Sequence, residues 1–429
     1  MQDFSEFGLS PNIIAALTRA GIDKPTPIQT KAIPPALEGH DIMGLAQTGT
    51  GKTLAFGLPL VEHLLANPGK PLPKTVKALV LAPTRELVNQ IADNLRPLTE
   101  GTKLRVFTVV GGQSINKQIA ALGRGTDILV ATPGRLIDLM DRGSVDLSQA
   151  KSLVLDEADQ MLDMGFIHAL RKIAPKLGTP RRTMLFSATM PKQMEELSGA
   201  YLTNPVKVQV APPGKAADKI TQSVHFLDKG DKPGKLREIL TMNSDALTLV
   251  FARTKHGAEK LMKGLVRDGY NAASIHGNKS QGQRDRAIKA FREGTVTVLV
   301  ATDVAARGID IPDVGYVINY DLPEVPDNYV HRIGRTARAG REGEAIAFCA
   351  PEDADLLHQI QRLMKIEVPV ASGESPLPAN GARGPRRGGG QGRRRGGGGG
   401  GGNPGKGNLL ESACRSYICT HLRTGLPEP

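Results

Sequence analysis

The sequence predicts an α/β protein with two successive domains, each built on a parallel sheet, and a disordered Arg/Gly-rich C-terminal tail. Short apolar runs rich in β-branched residues recur along the 429 residues, each followed by a helical pattern. The series of runs stops and then starts again in the second half of the chain. After about residue 370 the composition changes to glycine and arginine, which cannot bury a core.

The apolar runs predict strands that are buried on both faces, which is typical of parallel sheets covered by helices. The runs of the first series are "ALVLAPT" (78–84), "DILVATP" (127–133), "SLVLDEA" (152–158) and "TMLFSAT" (183–189). The runs of the second series are "LTLVFART" (247–254), "AASIHG" (272–277), "VTVLVATD" (296–303) and "YVINYD" (316–321).

The segment between the two series, residues 204–222, contains prolines and small residues and has little amphipathic period. We therefore predict domains at residues 1–207 and 220–368, joined by a linker at 208–219. A flexible basic tail is predicted over residues 369–429, where "GARGPRRGGGQGRRRGGGGGGG" has no apolar side chain besides one alanine and one proline.

The net charge of +12 favours an anionic partner, most simply a nucleic acid. Residues 381–408 contribute +7 of this charge, so the tail is its densest part. An ordinary solvated surface is the alternative explanation. No apolar stretch reaches the roughly 20 residues that a membrane span needs, and the start lacks the basic region of a secretory signal. Three cysteines without metal-ligand spacing agree with a reducing compartment, so we expect a cytoplasmic protein with no membrane partner.

The segment "AQTGTGKT" (46–53) has the spacing of a phosphate-binding P-loop, with alanine in place of the first glycine. In such a loop, backbone N–H groups approach phosphate oxygens, Lys52 reaches the β- and γ-phosphates, and the Thr53 hydroxyl ligates Mg²⁺. ATP and Mg²⁺ are the predicted cofactors, although a simple Gly-rich turn would show a similar pattern. The predicted phosphate-binding residues are Thr48, Gly49, Thr50, Gly51, Lys52 and Thr53.

The segment "LVLDEADQML" (153–162) places three carboxylates directly after a buried strand. Beside a P-loop, Asp156 can hold Mg²⁺ and Glu157 can position and deprotonate the attacking water. A solvated helix N-terminus would also tolerate acids here, because carboxylates suit the helix dipole. The presence of a P-loop about 100 residues upstream favours the catalytic interpretation.

The letters DEAD at 156–159 resemble the signature of the DEAD-box ATP-dependent RNA helicases, and other blocks agree in order over residues 4–368. The first-domain blocks are "GIDKPTPIQ" (21–29), "PTREL" (83–87), "GG" (111–112), "TPGR" (132–135) and "SAT" (187–189). The second-domain blocks are "VFART" (250–254), "QGQR" (281–284), "ATDVAARGIDI" (301–311) and "HRIGRTARAG" (331–340). The resemblance implies two tandem RecA-like domains, and the layout is similar to the bacterial RhlE-like branch.

The resemblance also implies roles around ATP. Gln29 would read the adenine edge with its amide, and Phe4 would stack on the ring, unless Phe4 is a buried N-terminal anchor. Asp310 would contact the ribose. Arg335 and Arg338 would be arginine fingers that the second domain supplies to ATP held by the first, and one helical turn can present both.

Coupling residues follow from the same resemblance. Asp159 would link to Ser187 and Thr189 and to His331, which connects hydrolysis to strand separation. Ala337 stands where the family more often has glycine, and we do not expect the extra methyl group to abolish function.

RNA would lie across both domains, bound mainly through its sugar-phosphate backbone and hence without sequence preference. The predicted RNA-binding residues are Thr84, Arg85, Gly112, Thr132, Arg135, Arg253, Gly277, Thr302 and Arg307. Loop or capping roles are the alternatives for each. Family roles make ribosomal precursors and the RNA-decay machinery candidate targets.

The predicted function is ATP-dependent, local unwinding or remodelling of RNA duplexes and RNA–protein complexes. A DNA helicase or translocase would share the two-domain arrangement, and comparison of RNA with DNA as the substrate would distinguish the two possibilities. A non-catalytic RNA scaffold would use mainly the tail, but it would need neither the P-loop nor the arginines. An ATP-gated RNA clamp that rarely unwinds is also compatible with every motif.

Overall fold

Two seven-stranded parallel sheets organise the part of the chain that the computed structural model describes. The structure describes residues 3–375 except 48, 191, 211–219, 307–313 and 338–342. The predicted tail therefore lies outside the described residues from position 376 onward, as does most of the predicted linker. None of the described helices is long and apolar enough to cross a bilayer.

The elements of the first domain alternate between helices and strands. In chain order the helices are α1 (Pro11–Arg19), α2 (Pro27–Leu37), α3 (Lys52–Ala66), α4 (Arg85–Thr99), α5 (Ile115–Leu122), α6 (Pro133–Asp141), α7 (Ala158–Asp163), α8 (Ile167–Ile173) and α9 (Lys192–Tyr201). The strands are β1 (Ile42–Leu45), β2 (Val76–Leu81), β3 (Val106–Val109), β4 (Thr126–Ala131), β5 (Ser152–Leu155), β6 (Arg182–Ser187) and β7 (Val206–Gln209). Short 3₁₀ turns cover Phe4–Phe7 and Ala174–Lys176.

The second domain repeats this alternation. Its helices are α10 (Lys232–Met242), α11 (Lys255–Arg267), α12 (Gln281–Arg292), α13 (Asp303–Ala306), α14 (Pro326–Ile333) and α15 (Ala354–Met364), with a 3₁₀ turn at Pro351–Asp353. Its strands are β8 (Ile220–Phe226), β9 (Leu247–Phe251), β10 (Ala272–Ile275), β11 (Val298–Ala301), β12 (Val314–Asn319), β13 (Gly343–Cys349) and β14 (Val370–Ser372).

The two sheets share one strand order. The first runs β3-β4-β2-β5-β6-β1-β7, and the second runs β10-β11-β9-β12-β13-β8-β14. When the strands of each sheet are numbered from its own first strand, the two orders are identical. The predicted pair of tandem RecA-like domains is confirmed by this duplicated topology.

Each central strand is apolar on both faces, because helices cover both sides of each sheet. In β2, Ala78 and Val80 pack into one core, whereas Leu79 and Leu81 pack into the core on the opposite face. All six residues of β4 are buried. Side chains of a strand point alternately to its two faces, so a run without polar alternation is what this position requires.

Two predicted boundaries differ from the structure. The predicted linker started at residue 208, but β7 continues to Gln209 and pairs with β1. The predicted tail started at residue 369, but β14 pairs with β8, and the backbone N–H of Val224 donates to the Pro369 carbonyl. Both are edge strands with few buried residues, so their hydrophobic pattern is too weak to mark them.

Candidate active site

The predicted phosphate-binding segment connects β1 to α3, and its described residues before the helix are 46, 47 and 49–51. The backbone N–H of Ala46 donates to the Ser187 carbonyl, which fixes the start of the loop beside β6. Gly49 and Gly51 have φ of 82° and 91°, a left-handed conformation that favours glycine. The helix α3 then begins at Lys52, so its free N–H groups face the loop. Such a helix N-terminus is suited to hold phosphate.

Gln29 is almost fully buried against this loop. Its side-chain Nε2 donates to the Gly51 carbonyl at 3.0 Å, and its Oε1 accepts from the Thr26 backbone N–H at 2.8 Å. A Cβ at position 51 would lie 2.5 Å from Gln29 Nε2, so only glycine permits this approach. The amide retains one donor and one acceptor site for a ligand.

Phe4 lies in the hydrophobic core rather than at an open surface. It is 2% exposed and packs edge-to-face against Phe7, with ring centroids 5.9 Å apart. This position fits the buried N-terminal anchor that was the alternative to adenine stacking. Stacking on a base would require the ring to become exposed.

Lys52 and Asp156 face each other at the centre of the site. Lys52 Nζ lies 3.8 Å from Asp156 Oδ1, and both side chains are at least nine-tenths buried. Within the part of the chain that the structure describes, Lys52 Nζ has no hydrogen-bond partner. Burial raises the pKa of Asp156 to about 6, while the Lys52 charge opposes this increase. A buried ammonium without a hydrogen bond points to an anionic ligand.

A cavity of about 290 Å³ opens at these residues. The P-loop and the acidic turn contribute part of its lining, through Gly49, Gly51, Lys52, Thr53, Asp156 and Glu157. The cavity therefore joins the two segments that were predicted to bind phosphate and metal.

Glu157 adopts a left-handed backbone conformation, with φ of 52° and ψ of 51°. A non-glycine residue in this conformation is strained by roughly 1–2 kcal/mol. The side chain is only 2% exposed. Strain at a buried carboxylate beside a phosphate cavity is typical of a functional residue rather than of a capping residue.

Asp159 contacts the segment after β6. Its Oδ2 accepts from the Thr189 hydroxyl at 3.0 Å and from the Thr189 and Ala188 backbone N–H groups at 2.9 and 3.1 Å. The Ser187 hydroxyl accepts from the Asp159 N–H at 3.3 Å and donates to the Thr189 carbonyl at 2.6 Å. Among the described residues, no hydrogen bond joins Asp159 to His331. The predicted link therefore exists to Ser187 and Thr189.

Arg335, the described member of the predicted arginine-finger pair, lies in the turn that follows α14. Arg335 is 5% exposed, and its Nε donates to the His331 carbonyl at 3.3 Å. Ala337 has φ of 53°, so the position where the family more often has glycine is indeed left-handed. The remaining predicted residues Thr48, Asp310, Arg307 and Arg338 lie outside the described residues.

Arg332 serves a structural role between two blocks. Its guanidinium donates to both Asp303 carboxylate oxygens at 2.5 and 2.7 Å and to Asn319 Oδ1 at 3.0 Å. It also lies 4.9 Å from the Phe251 ring centroid. Because its side chain is 2% exposed, Arg332 holds α13 against α14 rather than meeting a ligand.

The predicted RNA-contacting residues follow the carboxyl ends of three neighbouring strands in each sheet. Those of the first sheet are Gly112 after β3, Thr132 after β4 and Thr84 after β2. Those of the second sheet are Gly277 after β10, Thr302 after β11 and Arg253 after β9. The predicted phosphate-site residues follow β5, β6 and β1, in the other half of the first sheet. The two predicted sites therefore lie side by side along the carboxyl edge of the first sheet.

Three predicted RNA-binding arginines are held by protein groups. Arg135 Nη1 donates to the Gln113 carbonyl at 3.1 Å and to Gln118 Oε1 at 3.2 Å. Arg253 Nη2 donates to the buried Asp353 carboxylate at 2.7 Å. Thr84 caps α4 by accepting from the Leu87 N–H, as the capping alternative expected. These contacts fix the side chains in place.

Arg85, the third of these arginines, takes part in a bridge between the domains. Arg85 Nη1 donates to Gln281 Oε1 at 3.2 Å, and Gln281 Nε2 donates to Glu86 Oε1 at 2.8 Å. Arg284 forms an ion pair with Glu86 at 3.1 Å, where the two side chains are 14% and 7% exposed. The bridge joins "PTREL" to "QGQR".

The contacts among Glu86, Gln281 and Arg284 were not predicted, although each residue belongs to one of these two blocks. The three-residue spacing of Gln281 and Arg284 on a helix indicates one shared face. No feature of the sequence shows that this face meets residues about 200 positions upstream.

Comparisons with known proteins agree with this geometry. The DEAD/DEAH box helicase family matches residues 26–197, and the helicase conserved C-terminal domain matches residues 231–340. An ATP-dependent RNA helicase, CshA of Limosilactobacillus reuteri, is 42% identical over 366 residues, which cover 85% of this chain and 72% of that protein.

Solved structures show the same arrangement of the chain. S. cerevisiae Dbp5 bound to RNA and ADP BeF3 has a TM-score of 0.78 and 33% identity, covering 87% of this chain and 96% of that one. Mss116p bound to ssRNA and AMP-PNP has a TM-score of 0.77 and 28% identity, covering 86% and 78%. With the duplicated sheet, the phosphate loop and the acidic turn, these matches show that the chain belongs to the DEAD-box family of ATP-dependent RNA helicases.

Proposed function

We propose that this helicase hydrolyses ATP at a site that its second domain completes, while RNA spans both sheets. The observation that carries the proposal is the shared strand order of the two sheets. It supports the proposal because the predicted RNA residues follow corresponding strands of both domains, whereas the predicted nucleotide residues follow other strands of the first sheet. A ligand that spans corresponding strands of two domains can favour one arrangement of those domains over others.

Each group around the phosphates has a proposed role. Lys52 neutralises the phosphate oxygens, and its buried ammonium group supports this role. Glu157 positions the attacking water and accepts its proton. The Asp156 carboxylate and the Thr53 hydroxyl are oxygen donors in one cavity, which suits Mg²⁺. When bound, that cation supplies charge neutralisation of the phosphates.

Arg335 and Arg338 are proposed to stabilise the charge that develops on the γ-phosphate. They belong to the second domain, so neither domain alone holds a complete site. Closure of the two domains brings the arginines to the nucleotide and joins the two halves of the RNA surface. If the joined surface accepts only a distorted single strand, closure separates a short duplex locally. Hydrolysis then releases the closed arrangement.

Substitution of a residue in the Arg284–Glu86 ion pair tests the proposed closure of the two domains. Replacing Arg284 by alanine leaves the Glu86 carboxylate buried without this partner. We expect kcat for RNA-stimulated hydrolysis to fall by about 10-fold to 100-fold, because the closed arrangement loses this ion pair. Each factor of ten corresponds to about 1.4 kcal/mol. Binding of a fluorescent ATP analogue to the first domain should persist.

Arg286→Ala is the matched control, because Arg286 is an exposed arginine on the same helix, α12. We expect its kcat to stay within a factor of about two. Equal losses in Arg284→Ala and Arg286→Ala would mean that the bridge has no special part in closure.

The tail is proposed to act as a tether that raises the local concentration of RNA. Deleting residues 381–429 removes eight arginines and one lysine, of which six arginines and the lysine lie within 381–408. We expect weaker RNA binding and a shallower dependence of affinity on salt, with little change in ATPase activity at saturating RNA. Fluorescence anisotropy at several salt concentrations measures both. A tail of equal length with its arginines changed to glutamine should behave like the deletion, and unchanged affinity and salt slope would refute the tether.

Three finer assignments are also proposals. The Arg/Gly tail supports placement in the bacterial RhlE-like branch. Ribosomal precursors and the RNA-decay machinery are candidate targets. A cytoplasmic location is supported by cysteine usage, since Cys349 is a free thiol in the core.

A further inference from the structure

A polar cluster in the second domain surrounds the carboxylate of Glu259, on α11. One carboxylate oxygen, Oε2, accepts from Ser274 Oγ at 2.7 Å, from Lys279 Nζ at 2.9 Å and from His276 Nε2 at 3.0 Å. The three donors come from β10 and the loop after it. Glu259 thereby ties that loop to a neighbouring helix.

The cluster is more constrained than a surface ion pair. His276 is 5% exposed at its side chain, and Lys279 and Glu259 are 20% and 28% exposed. The three donors, led by Lys279, lower the pKa of Glu259 to about 2. The carboxylate is therefore ionised under all ordinary conditions. Several donors on one partly buried carboxylate restrict the geometry far more than an exposed ion pair does.

His276 passes this constraint to the loop backbone. Its Nδ1 accepts from the Asn278 backbone N–H at 3.3 Å, so Nε2 carries the hydrogen that Glu259 accepts. The His276 carbonyl accepts from the Lys279 N–H at 3.0 Å, which closes a turn over residues 276–279. The imidazole ring is thus bound on both nitrogens, once to the helix and once to the turn.

The turn lies next to two features that matter for activity, the predicted RNA surface and the contact between the domains. Gly277 lies at its centre, and a Cβ placed there would meet no atom within 4 Å, so the backbone is open to a ligand. The turn ends at the Ser280 cap of α12, whose first residue is Gln281 of the bridge to the first domain. The position of this turn therefore affects both the RNA surface and the contact between domains.

We infer that Glu259 is a positioning residue for RNA binding, which holds the 276–280 turn so that the Gly277 backbone meets the RNA chain. This inference rests on the proposed RNA contact of Gly277. Glu259 itself touches neither RNA nor ATP. Its loss frees the turn to adopt other conformations, and RNA must then select the binding conformation from a larger set.

The test measures the RNA concentration that gives half-maximal ATPase stimulation, together with kcat and KM for ATP. For Glu259→Ala in the full chain, we expect the half-maximal RNA concentration to rise about tenfold. The value of kcat at saturating RNA and KM for ATP should each change by less than about twofold. A merely structural role would lower the unfolding temperature without this selective change.

Glu259→Gln separates the charge from the hydrogen bonds. Its amide oxygen can still accept from Ser274 and His276, but it loses the charge opposite Lys279. We expect an intermediate effect, and this variant keeps the test valid if the alanine variant folds poorly. Glu293→Ala is the matched control, because Glu293 forms an exposed ion pair with Lys289 in the same domain.

Gly277→Ala distinguishes the inference from the proposal beneath it. The added methyl group fits the free protein, so weaker RNA stimulation in this variant would reflect contact with RNA. If Gly277→Ala weakens RNA stimulation and Glu259→Ala does not, the positioning role of Glu259 is wrong and the RNA contact stands. If Gly277→Ala has no effect, the RNA contact at Gly277 is wrong, and the inference fails with it.

Discussion

Replacing Glu157 by glutamine is expected to reduce ATP turnover by about 10²-fold to 10⁴-fold, the usual contribution of a general base. Glutamine has nearly the same shape and can hold the same left-handed backbone. It cannot accept a proton from the attacking water. We propose that the P-loop and Lys52 bind the nucleotide, and the substitution leaves both unchanged, so ATP and RNA binding should persist.

The measurement for Glu157→Gln combines steady-state ATPase activity with equilibrium binding of ATP and RNA. Because the variant binds both ligands without turnover, its RNA complex in ATP should dissociate more slowly than that of the unsubstituted protein. Glu195→Gln, at an exposed position of α9, is the control and should behave normally. Normal turnover by Glu157→Gln would remove this carboxylate from the mechanism.

Replacing Arg335 by alanine is expected to give the other large effect, a loss of about 10³-fold to 10⁵-fold in kcat, which is the usual contribution of an arginine finger. In its proposed role the guanidinium would stabilise charge that exists only in the transition state, so the loss should appear in kcat rather than in KM for ATP. Arg335 belongs to the second domain, whereas the P-loop belongs to the first. The defect would therefore arise across the domain boundary.

Arg335→Lys tests the chemistry of this position. Lysine keeps the charge but lacks the planar array of donors, so we expect it to recover little activity. Arg267→Ala removes an exposed arginine from the same domain and serves as the control. If Arg335→Ala retained kcat within about tenfold of the unsubstituted protein, the site would not need this arginine.

The central strands of both sheets could be predicted from sequence because helices cover both of their faces. That burial demands apolar runs, such as residues 128–131 of β4, and such runs are visible without any structure. The edge strands β7 and β14 could not be predicted with correct limits. Only one residue of β7 and none of β14 is buried, so pairing rather than side-chain burial defines them.

The residues of the phosphate site could be named from motifs, but their conformations could not. The left-handed backbone of Glu157 depends on how β5 turns into α7. The burial of Phe4 against Phe7 depends on packing that a single sequence does not reveal. Sequence spacing also gave no reason to expect the Gln29 amide on the Gly51 carbonyl.

Contacts between segments that are far apart in the chain could not be predicted from the sequence. The bridge between Glu86 and Arg284 joins residues about 200 positions apart, and it depends on how the two domains meet. The Glu259 cluster joins a helix to the following strand and loop. Each partner there has an ordinary explanation alone, as a solvated charge or a loop polar group. Only the arrangement of all four side chains identifies the cluster.

The most direct test of the account is ATP hydrolysis by the full chain in three parallel conditions. These are protein alone, protein with single-stranded RNA, and protein with DNA of the same sequence. We predict slow hydrolysis alone and strong stimulation by RNA only, because RNA that spans both sheets favours the closed arrangement. Equal stimulation by DNA would contradict the RNA assignment, and fast hydrolysis without nucleic acid would contradict a site completed by closure on RNA.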